Sequence, residues 1–402
     1  MAVAEKIDMV TREDLVQRAR AMVPMVRERA EAAERNRIVA PEIIAEMKRN
    51  DLFRTLKPKR FGGFEYDTMT GIRCSLELAA ADASTAWVFG LGVIHNWLIG
   101  MFPVQCQEDI WGEYPEAFTA GSYAPAGTCE RAPGGYRITG AWHYASGSDH
   151  ADWGLMGVFF PPDTEGGNGM PGFVIVPKSD FTIDDTWHTM GLAATGSRSF
   201  VCDNAFVPEH RRITFAELSS GNSPGYQVHQ SPLYRYPLLS LIAYYISVPA
   251  IGALQCALDG FIDDTRARTT RGAVVLGGAK MVEYQAVQMR VGEAAAALKA
   301  SKAMLFDQLE ESHRTIIERG ELLDVAARID NRITQAYTIQ LAIQGLDALW
   351  GAAGGAGIQL SQPVQRAWRD AHAVAHHVSF NWDALSSMYG QLLLGLEPQG
   401  QF

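Results

Sequence analysis

The sequence lacks the patterns that mark several large classes of protein. Its five cysteines are dispersed without a Cys-x-x-Cys pair, which argues against a disulfide framework and against a zinc site. The formal net charge is −10, and no basic stripe is available to neutralise nucleic-acid phosphates. The sequence therefore predicts a protein that acts on small molecules, with no nucleic acid as a partner.

Signals for secretion and for membrane insertion are also missing. The first residues have neither the basic nor the apolar stretch of a signal peptide, so we expect a cytoplasmic protein. The longest apolar run, from Leu238 to Leu254, is interrupted by tyrosines and Pro249, whereas a membrane span needs about 20 apolar residues. This run predicts a buried helix and no membrane association.

The spacing of apolar residues along the chain changes twice. Residues 1–118 carry apolar side chains at helical spacing, whereas residues 119–213 are short β-rich runs separated by glycine and proline turns. Residues 214–402 return to helical spacing over several long segments, which indicates a four-helix bundle. The predicted fold is mainly α with a central antiparallel β-domain, a barrel or a sandwich. No strand–GxGxxG–helix unit occurs, so a Rossmann domain is not expected.

A glycine-rich segment near the end of the chain precedes a group of histidines. Residues 350–357 predict a turn whose backbone can approach a ligand closely, and His377 follows the pair Arg369–Asp370. Histidine titrates near neutral pH, so this segment predicts a cofactor site with an acid or base beside it. His372 and His376 have the spacing of metal ligands on a helix, but without a third ligand we expect no metal.

This order of domains resembles the acyl-CoA dehydrogenase fold. Residues 138–147 (ITGAWHYASG) are similar to the segment that lays the flavin against the β-domain, and WHTMGL at 187–192 is similar to the strands after it. The motifs GVIHNW at 92–97, SYAP at 122–125, SGSDHA at 146–151 and WRDAHA at 368–373 resemble oxygenase components that hydroxylate phenols. Short-chain-type acyl-CoA dehydrogenases carry a glutamate base where this chain has Val378. Without that carboxylate, no base is present at this position to abstract the α-proton of an acyl-CoA.

The resemblance implies an oxygenase component of a two-component flavin-dependent monooxygenase. Such an enzyme binds reduced FMN or FAD from a separate NAD(P)H:flavin reductase and hydroxylates a small phenolic substrate with O₂, through a C4a-hydroperoxyflavin. It also implies a homotetramer. The sequence leaves open a monooxygenase of this fold acting on sulfur, nitrogen or an indole ring, an acyl-CoA dehydrogenase or flavin oxidase, and a catalytically silent flavin-fold protein.

The same resemblance implies which residues form the site. The catalytic residues would be Ser146, which holds flavin N5, and His95 and His377, which share the roles of phenol base and peroxide acid in an undecided order. Trp187 would be a wall against the isoalloxazine, Arg271 would meet the flavin phosphate, and the glycine segment would contact flavin in a neighbouring subunit. The full set of flavin contacts implied in this way is Ser122, Tyr123, Ser146, Trp187, Arg271, Gly354 and Gly355.

Overall fold

The computed structural model describes residues 10–162, 169–269 and 279–402. In the described part of the chain helices come first, and strands appear only after residue 118. Local capping explains where several helices start: Thr11 and Asp14 form a capping box at the first helix, and Asp82 accepts hydrogen bonds at the start of the fourth. These helices are α1 (Arg12–Asn36), α2 (Pro41–Arg49), α3 (Thr68–Ala79), α4 (Ala83–Ile99) and α5 (Val104–Trp111).

Helix α4 is unusual because every one of its residues is buried. It packs against α3, against the first strand and against a long helix of the C-terminal part. A helix that is apolar on all sides is stable only inside a core. Polar groups on α4 must therefore find partners inside the protein or face a ligand.

The strands form two four-stranded sheets. One has the order β1-β4-β5-β8 and the other β2-β3-β7-β6. Strand β1 pairs with β4 in parallel, which differs from the antiparallel pattern expected from the short strands. The pair can be parallel because β2 and β3 provide the long crossover that parallel strands require. The strands are β1 (Thr119–Ser122), β2 (Thr128–Ala132), β3 (Gly135–Ala145), β4 (Trp153–Phe160), β5 (Met170–Pro177), β6 (Thr182–Asp184), β7 (Arg198–Pro208) and β8 (Arg212–Thr214).

Long helices make up the C-terminal part. Helix α8 lies at their centre, packed against α9, α10 and α11 on one side and α3 and α4 on the other. Its length and composition would allow it to cross a membrane, but 89% of its most apolar window is buried in the protein, as expected for a core helix. The helices are α6 (Phe215–Ser219), α7 (Pro224–His229), α8 (Leu238–Ala267), α9 (Gln285–His313), α10 (Val325–Gly357), α11 (Pro363–Ala375) and α12 (Trp382–Leu393).

The glycine-rich segment is not the turn that the sequence predicts. Two helical stretches of α10 meet within it at a kink at Gly354, which has φ 63° and ψ −167°, and the helix ends at Gly357. Alanines at 352, 353 and 356 favour the helix, because alanine has the highest intrinsic helix propensity. The prediction of a turn over residues 350–357 is therefore wrong, and the irregularity is confined to one residue.

The contact between α8 and α3 allows a test of the core packing. A Cβ at Gly252 would lie 2.0 Å from the Cβ of Ala79 and 2.6 Å from its carbonyl carbon, so Gly252→Ala forces the two helices apart. We expect a loss of about 1–3 kcal/mol in the free energy of unfolding, measured by denaturant titration.

Gly260 lies on the same helix and provides the matched control. A Cβ at Gly260 would have no atom within 4 Å, so Gly260→Ala should be neutral or stabilising by up to about 1 kcal/mol. Equal stabilities of the two variants would contradict the close approach of α3 and α8.

Candidate functional site

A hydrogen bond between Trp87 and Ser146 connects α4 to the β-domain. The indole Nε1 of Trp87 donates to Ser146 Oγ over 3.0 Å, and both residues are buried. Ser146 directly follows β3, which ends at Ala145. The ring of Trp87 also meets the ring of His377 at a centroid distance of 5.7 Å. Trp87 therefore brings two of the predicted catalytic residues together.

Beyond Ser146, a line of buried hydroxyls runs into the loop before β7. Ser146 Oγ lies 2.7 Å from Ser197 Oγ, which lies 2.6 Å from Thr195 Oγ1, and Thr195 donates to the Leu192 carbonyl over 2.8 Å. We call Ser146, Ser197 and Thr195 the hydroxyl chain.

Each hydroxyl of the chain has one proton to donate. Because Thr195 uses its proton on Leu192, Ser197 donates to Thr195 and Ser146 donates to Ser197. Ser146 also accepts from Trp87, so it keeps one free lone pair and has no proton left to give.

His95 lies two turns after Trp87 on α4. Its Nδ1 lies 2.6 Å from the carbonyl oxygen of Thr119, which can only accept, so we assign the proton to Nδ1. Burial lowers the pKa of His95 to about 4, which keeps the ring neutral. Its Nε2 is therefore an acceptor, and it is buried without a hydrogen-bond partner among the described residues. The geometry makes His95 suited to act as a base.

His377 has the opposite arrangement. The backbone N–H of Ser379 donates to His377 Nδ1 over 3.1 Å, so the proton of the neutral ring must be on Nε2. Burial, and then the positive charge of Arg332, lower the pKa of His377 to about 4. Arg332 also donates to the Ser379 carbonyl over 2.8 Å, which fixes the turn that holds the imidazole. His377 therefore presents an N–H donor.

Two further buried polar groups lie close to His95. The hydroxyls of Thr119 and Tyr123 have no hydrogen-bond partner within the described part of the chain, and the Tyr123 ring meets the His95 ring at 5.7 Å. Burial raises the pKa of the Tyr123 phenol, so it stays a neutral hydroxyl. Unpaired buried polar groups are costly, and their concentration beside a neutral base is typical of a place where a polar ligand binds.

The loop from residue 187 to 197 is tied to helix α11. The backbone N–H of Leu192 donates to Asp370 Oδ1 over 2.7 Å, and Arg369 donates to the Met190 carbonyl over 2.5 Å. Burial, and then the charge of Asp82, raise the pKa of Asp370 to about 7. Asp370 thus holds the loop that carries both Trp187 and the inner end of the hydroxyl chain.

Trp187 lies at the border of the site, next to the exposed side chain of Tyr144. Its Nε1 donates to the Leu192 carbonyl over 3.0 Å, and its ring meets Tyr144 edge-on at 6.1 Å. Tyr144 is 72% exposed and has φ 66°, although it stands two residues before the buried Ser146. An exposed aromatic surface beside buried polar groups suits a flat ligand.

The other predicted flavin contacts are dispersed. Ser122 and Tyr123 lie at the end of β1 near His95, whereas Gly354 and Gly355 are exposed near the end of α10, with open space around them. Their predicted contact with flavin in a neighbouring subunit stays a prediction. Arg271 lies outside the described residues.

Sequence reasoning did not assign roles to Trp87, Ser197, Thr195, Asp370 or Arg332. All except Thr195 act through a long-range contact, such as the 59-residue separation between Trp87 and Ser146. One available signal was the Thr-Gly-Ser motif at 195–197, which places two hydroxyl side chains two residues apart.

Comparisons with known proteins show the family to which the chain belongs. The model of the acyl-CoA dehydrogenase N-terminal domain matches residues 11–110, and that of the C-terminal domain matches residues 244–382. The chain belongs to the acyl-CoA dehydrogenase superfamily, in the family of flavin-dependent oxygenase components. It is 40% identical over 392 residues to the oxygenase component of FADH(2)-dependent resorcinol hydroxylase from Rhizobium sp. (strain MTP-10005), covering 96% of both chains.

Solved structures share the fold over the whole chain. The 3-HSA hydroxylase from Rhodococcus sp. RHA1 has a TM-score of 0.90 and 30% identity, covering 96% of this chain and 98% of that one. XiaF from Streptomyces sp., solved in complex with FADH2 and glycerol, has a TM-score of 0.89 and 26% identity over the full length of both chains. The predicted acyl-CoA dehydrogenase fold is confirmed.

The raised pKa of Asp370 makes a prediction about stability. The folded protein holds this proton up to about pH 7, while the unfolded chain releases it near pH 4, so wild-type stability falls as the pH rises between these values. Asp370→Asn keeps an oxygen acceptor for Leu192 and removes the titration. We expect the free energy of unfolding of the variant, relative to that of wild type, to rise by on the order of 2 kcal/mol between pH 5 and pH 8.

Chemical denaturation at the two pH values measures this effect. Asp203→Asn, at an exposed aspartate of β7, is the control and should leave the pH dependence unchanged. The same pH dependence in Asp370→Asn and wild type would show that Asp370 is ionised throughout.

Proposed function

We propose that this protein is the oxygenase component of a two-component flavin-dependent monooxygenase that hydroxylates a phenol. The observation that carries the proposal is the pair of neutral histidines in opposite tautomers: His95 is an acceptor two turns after Trp87 on α4, and His377 is a hydrogen-bond donor against the Trp87 ring. Hydroxylation of a phenol uses both, because a base must take the proton of the ring hydroxyl and a hydrogen-bond donor must stabilise the negative charge that develops on the reduced oxygen. The 40% identity to a resorcinol hydroxylase oxygenase component supports the same reaction class.

The residues around Ser146 fit a reduced flavin. Ser146 keeps a free lone pair that can accept from the N5–H of a reduced isoalloxazine, while Trp187 and Tyr144 offer an aromatic surface beside it. Bound reduced flavin supplies the two electrons with which O₂ is activated for transfer of one oxygen atom to an aromatic ring. The relatives named for FADH(2) favour FAD over FMN. A separate NAD(P)H:flavin reductase would deliver the flavin.

His95 is the base in this proposal. Its unpartnered Nε2 can accept the hydrogen bond of a phenol hydroxyl and draw the proton away, which raises the electron density of the ring at the ortho carbon. The nearby hydroxyls of Thr119 and Tyr123 would bind a second polar group of the substrate. The buried surroundings keep His95 neutral, so the base is available at neutral pH.

His377 is the hydrogen-bond donor to the reduced oxygen in this proposal. Its Nε2–H is available because Ser379 occupies Nδ1, and Arg332 keeps the turn in place. The side chain of Val378, where short-chain-type dehydrogenases have their glutamate, is 83% exposed and supplies no base. An acyl-CoA dehydrogenase reaction is therefore not favoured.

The protein would act as a cytoplasmic homotetramer. Several large apolar side chains near the ends of α10 and α12 are exposed in the single chain, which is typical of a surface covered by another subunit. Light scattering that gives a mass other than four chains would contradict the tetramer. The exposed side chains are Ile358, Leu360, Leu393, Leu394 and Leu396.

The central test supplies the purified protein with FAD or FMN kept reduced by a flavin reductase and NADH, with resorcinol as a representative phenol. We expect a product that contains one more oxygen, labelled when ¹⁸O₂ is used, and little H₂O₂. A panel of phenols is tested with the protein and, as a control, without it. If H₂O₂ is the only product in both cases, the monooxygenase function is refuted.

His95→Asn tests the base. The amide can still donate to the Thr119 carbonyl, but the acceptor at Nε2 is lost. We expect hydroxylation to fall about 100-fold or more, with O₂ diverted to H₂O₂, and to recover partly above the pKa of the phenol, where the substrate ionises without help. A pH-independent loss would remove His95 from this role.

His377→Asn provides the matched comparison. Its amide oxygen can still accept from the Ser379 N–H, so the turn is kept while the donor at Nε2 is lost. We expect a similar fall of about 100-fold or more without recovery at high pH, since an ionised phenol does not replace a hydrogen-bond donor to the reduced oxygen. Binding of reduced flavin, measured by anaerobic titration, should stay within a few-fold of wild type.

A further inference from the structure

We propose that the hydroxyl chain makes this protein selective for reduced over oxidised flavin, with Thr195 and Ser197 as the residues that set the selectivity. The inference rests on the proposed function, in which Ser146 meets flavin N5. Neither Thr195 nor Ser197 needs to touch the flavin, so both are positioning residues. They act by deciding where the proton of Ser146 points.

The inner end of the chain determines its direction, because the Leu192 carbonyl can only accept from Thr195. At the outer end Trp87 can only donate, and it occupies one lone pair of Ser146 in either direction. All internal bonds form when Ser146 donates to Ser197 and Ser197 donates to Thr195. In this direction Ser146 can offer the flavin a lone pair but no proton.

Reduced and oxidised flavins differ at N5 in the property that this arrangement detects. N5 of the reduced ring carries a hydrogen and can donate to Ser146, whereas N5 of the oxidised ring has only a lone pair. With oxidised flavin two arrangements of the hydroxyl chain are possible. If the chain keeps its direction, N5 faces the oxygen of Ser146 without a hydrogen bond. In the other arrangement the direction of the chain reverses. Reversal lets Ser146 donate to N5, but Thr195 must then turn its proton from Leu192 to Ser197.

The hydroxyl chain and flavin N5 together form one hydrogen bond fewer with oxidised than with reduced flavin, whichever direction the chain takes. The chain is buried, with Thr195 1% exposed and Ser146 and Ser197 each 4% exposed, so water does not replace the missing bond. A buried hydrogen bond of this kind corresponds to about a tenfold difference in affinity. The selectivity thus comes from the inner end of the chain, at a residue two hydroxyls away from the ligand.

Thr195→Val tests the inference. Valine has nearly the same shape but cannot accept from Ser197, so the Ser197 proton turns to Ser146 and the Ser146 proton becomes free for oxidised N5. Binding of reduced and oxidised FAD and FMN is measured by anaerobic titration, and the readout is the ratio of the two dissociation constants. We expect the preference for reduced flavin to fall about tenfold, which equals a decrease of about 30 mV in the midpoint potential of the bound flavin.

Two further variants make the result decisive. Thr195→Ser restores a hydroxyl and should return the ratio to the wild-type value, while Ser197→Ala interrupts the chain one residue earlier and should lower the ratio as Thr195→Val does. The inference is overturned if wild type prefers reduced flavin and both Thr195→Val and Ser197→Ala keep its ratio within about twofold. If wild type binds neither reduced FAD nor reduced FMN, the proposed function itself is wrong.

Discussion

The hydrogen bond from Trp87 to Ser146 is the interaction on which the site depends. An indole N–H can only donate, and a buried one must find an acceptor, so Ser146 has to turn a lone pair toward α4. This single requirement fixes the end of β3 against a fully buried helix. The hydroxyls behind Ser146 take their direction from the inner end, where Thr195 gives its one proton to the Leu192 carbonyl. Structural contacts thereby determine a chemical property.

The positions of the protons at both histidines follow from backbone geometry in the same way. The carbonyl of Thr119 and the N–H of Ser379 are fixed by the strand and the turn to which they belong, and neither can exchange its role as acceptor or donor. Two residues of the same type therefore become a hydrogen-bond acceptor and a hydrogen-bond donor. The assignment needs no difference in pKa, since burial lowers both values to about 4.

Much of the candidate site could be predicted from the sequence, because each motif consists of neighbouring residues. His95, Ser146 and His377 each belong to a short motif, and the structure brings two of them to Trp87. The partners of these residues could not be predicted, because a contact across 59 residues leaves no local pattern. The glycine segment failed for a different reason: glycine permits a turn, but the alanines beside it favour the helix that forms.

Burial links the remaining ionisable groups to the site. Burial raises the pKa of Asp370 and lowers the pKa of Arg332 to about 10, while both side chains hold backbone groups of the turns around the site. In surroundings of low polarity a charge is costly, whereas a hydrogen bond to a neutral partner is strong. Protons in such a site are located by hydrogen-bond geometry more than by the pH of the solution. An enzyme that must hold a reactive oxygen away from water benefits from this, because the same burial that excludes water also fixes the donors and acceptors.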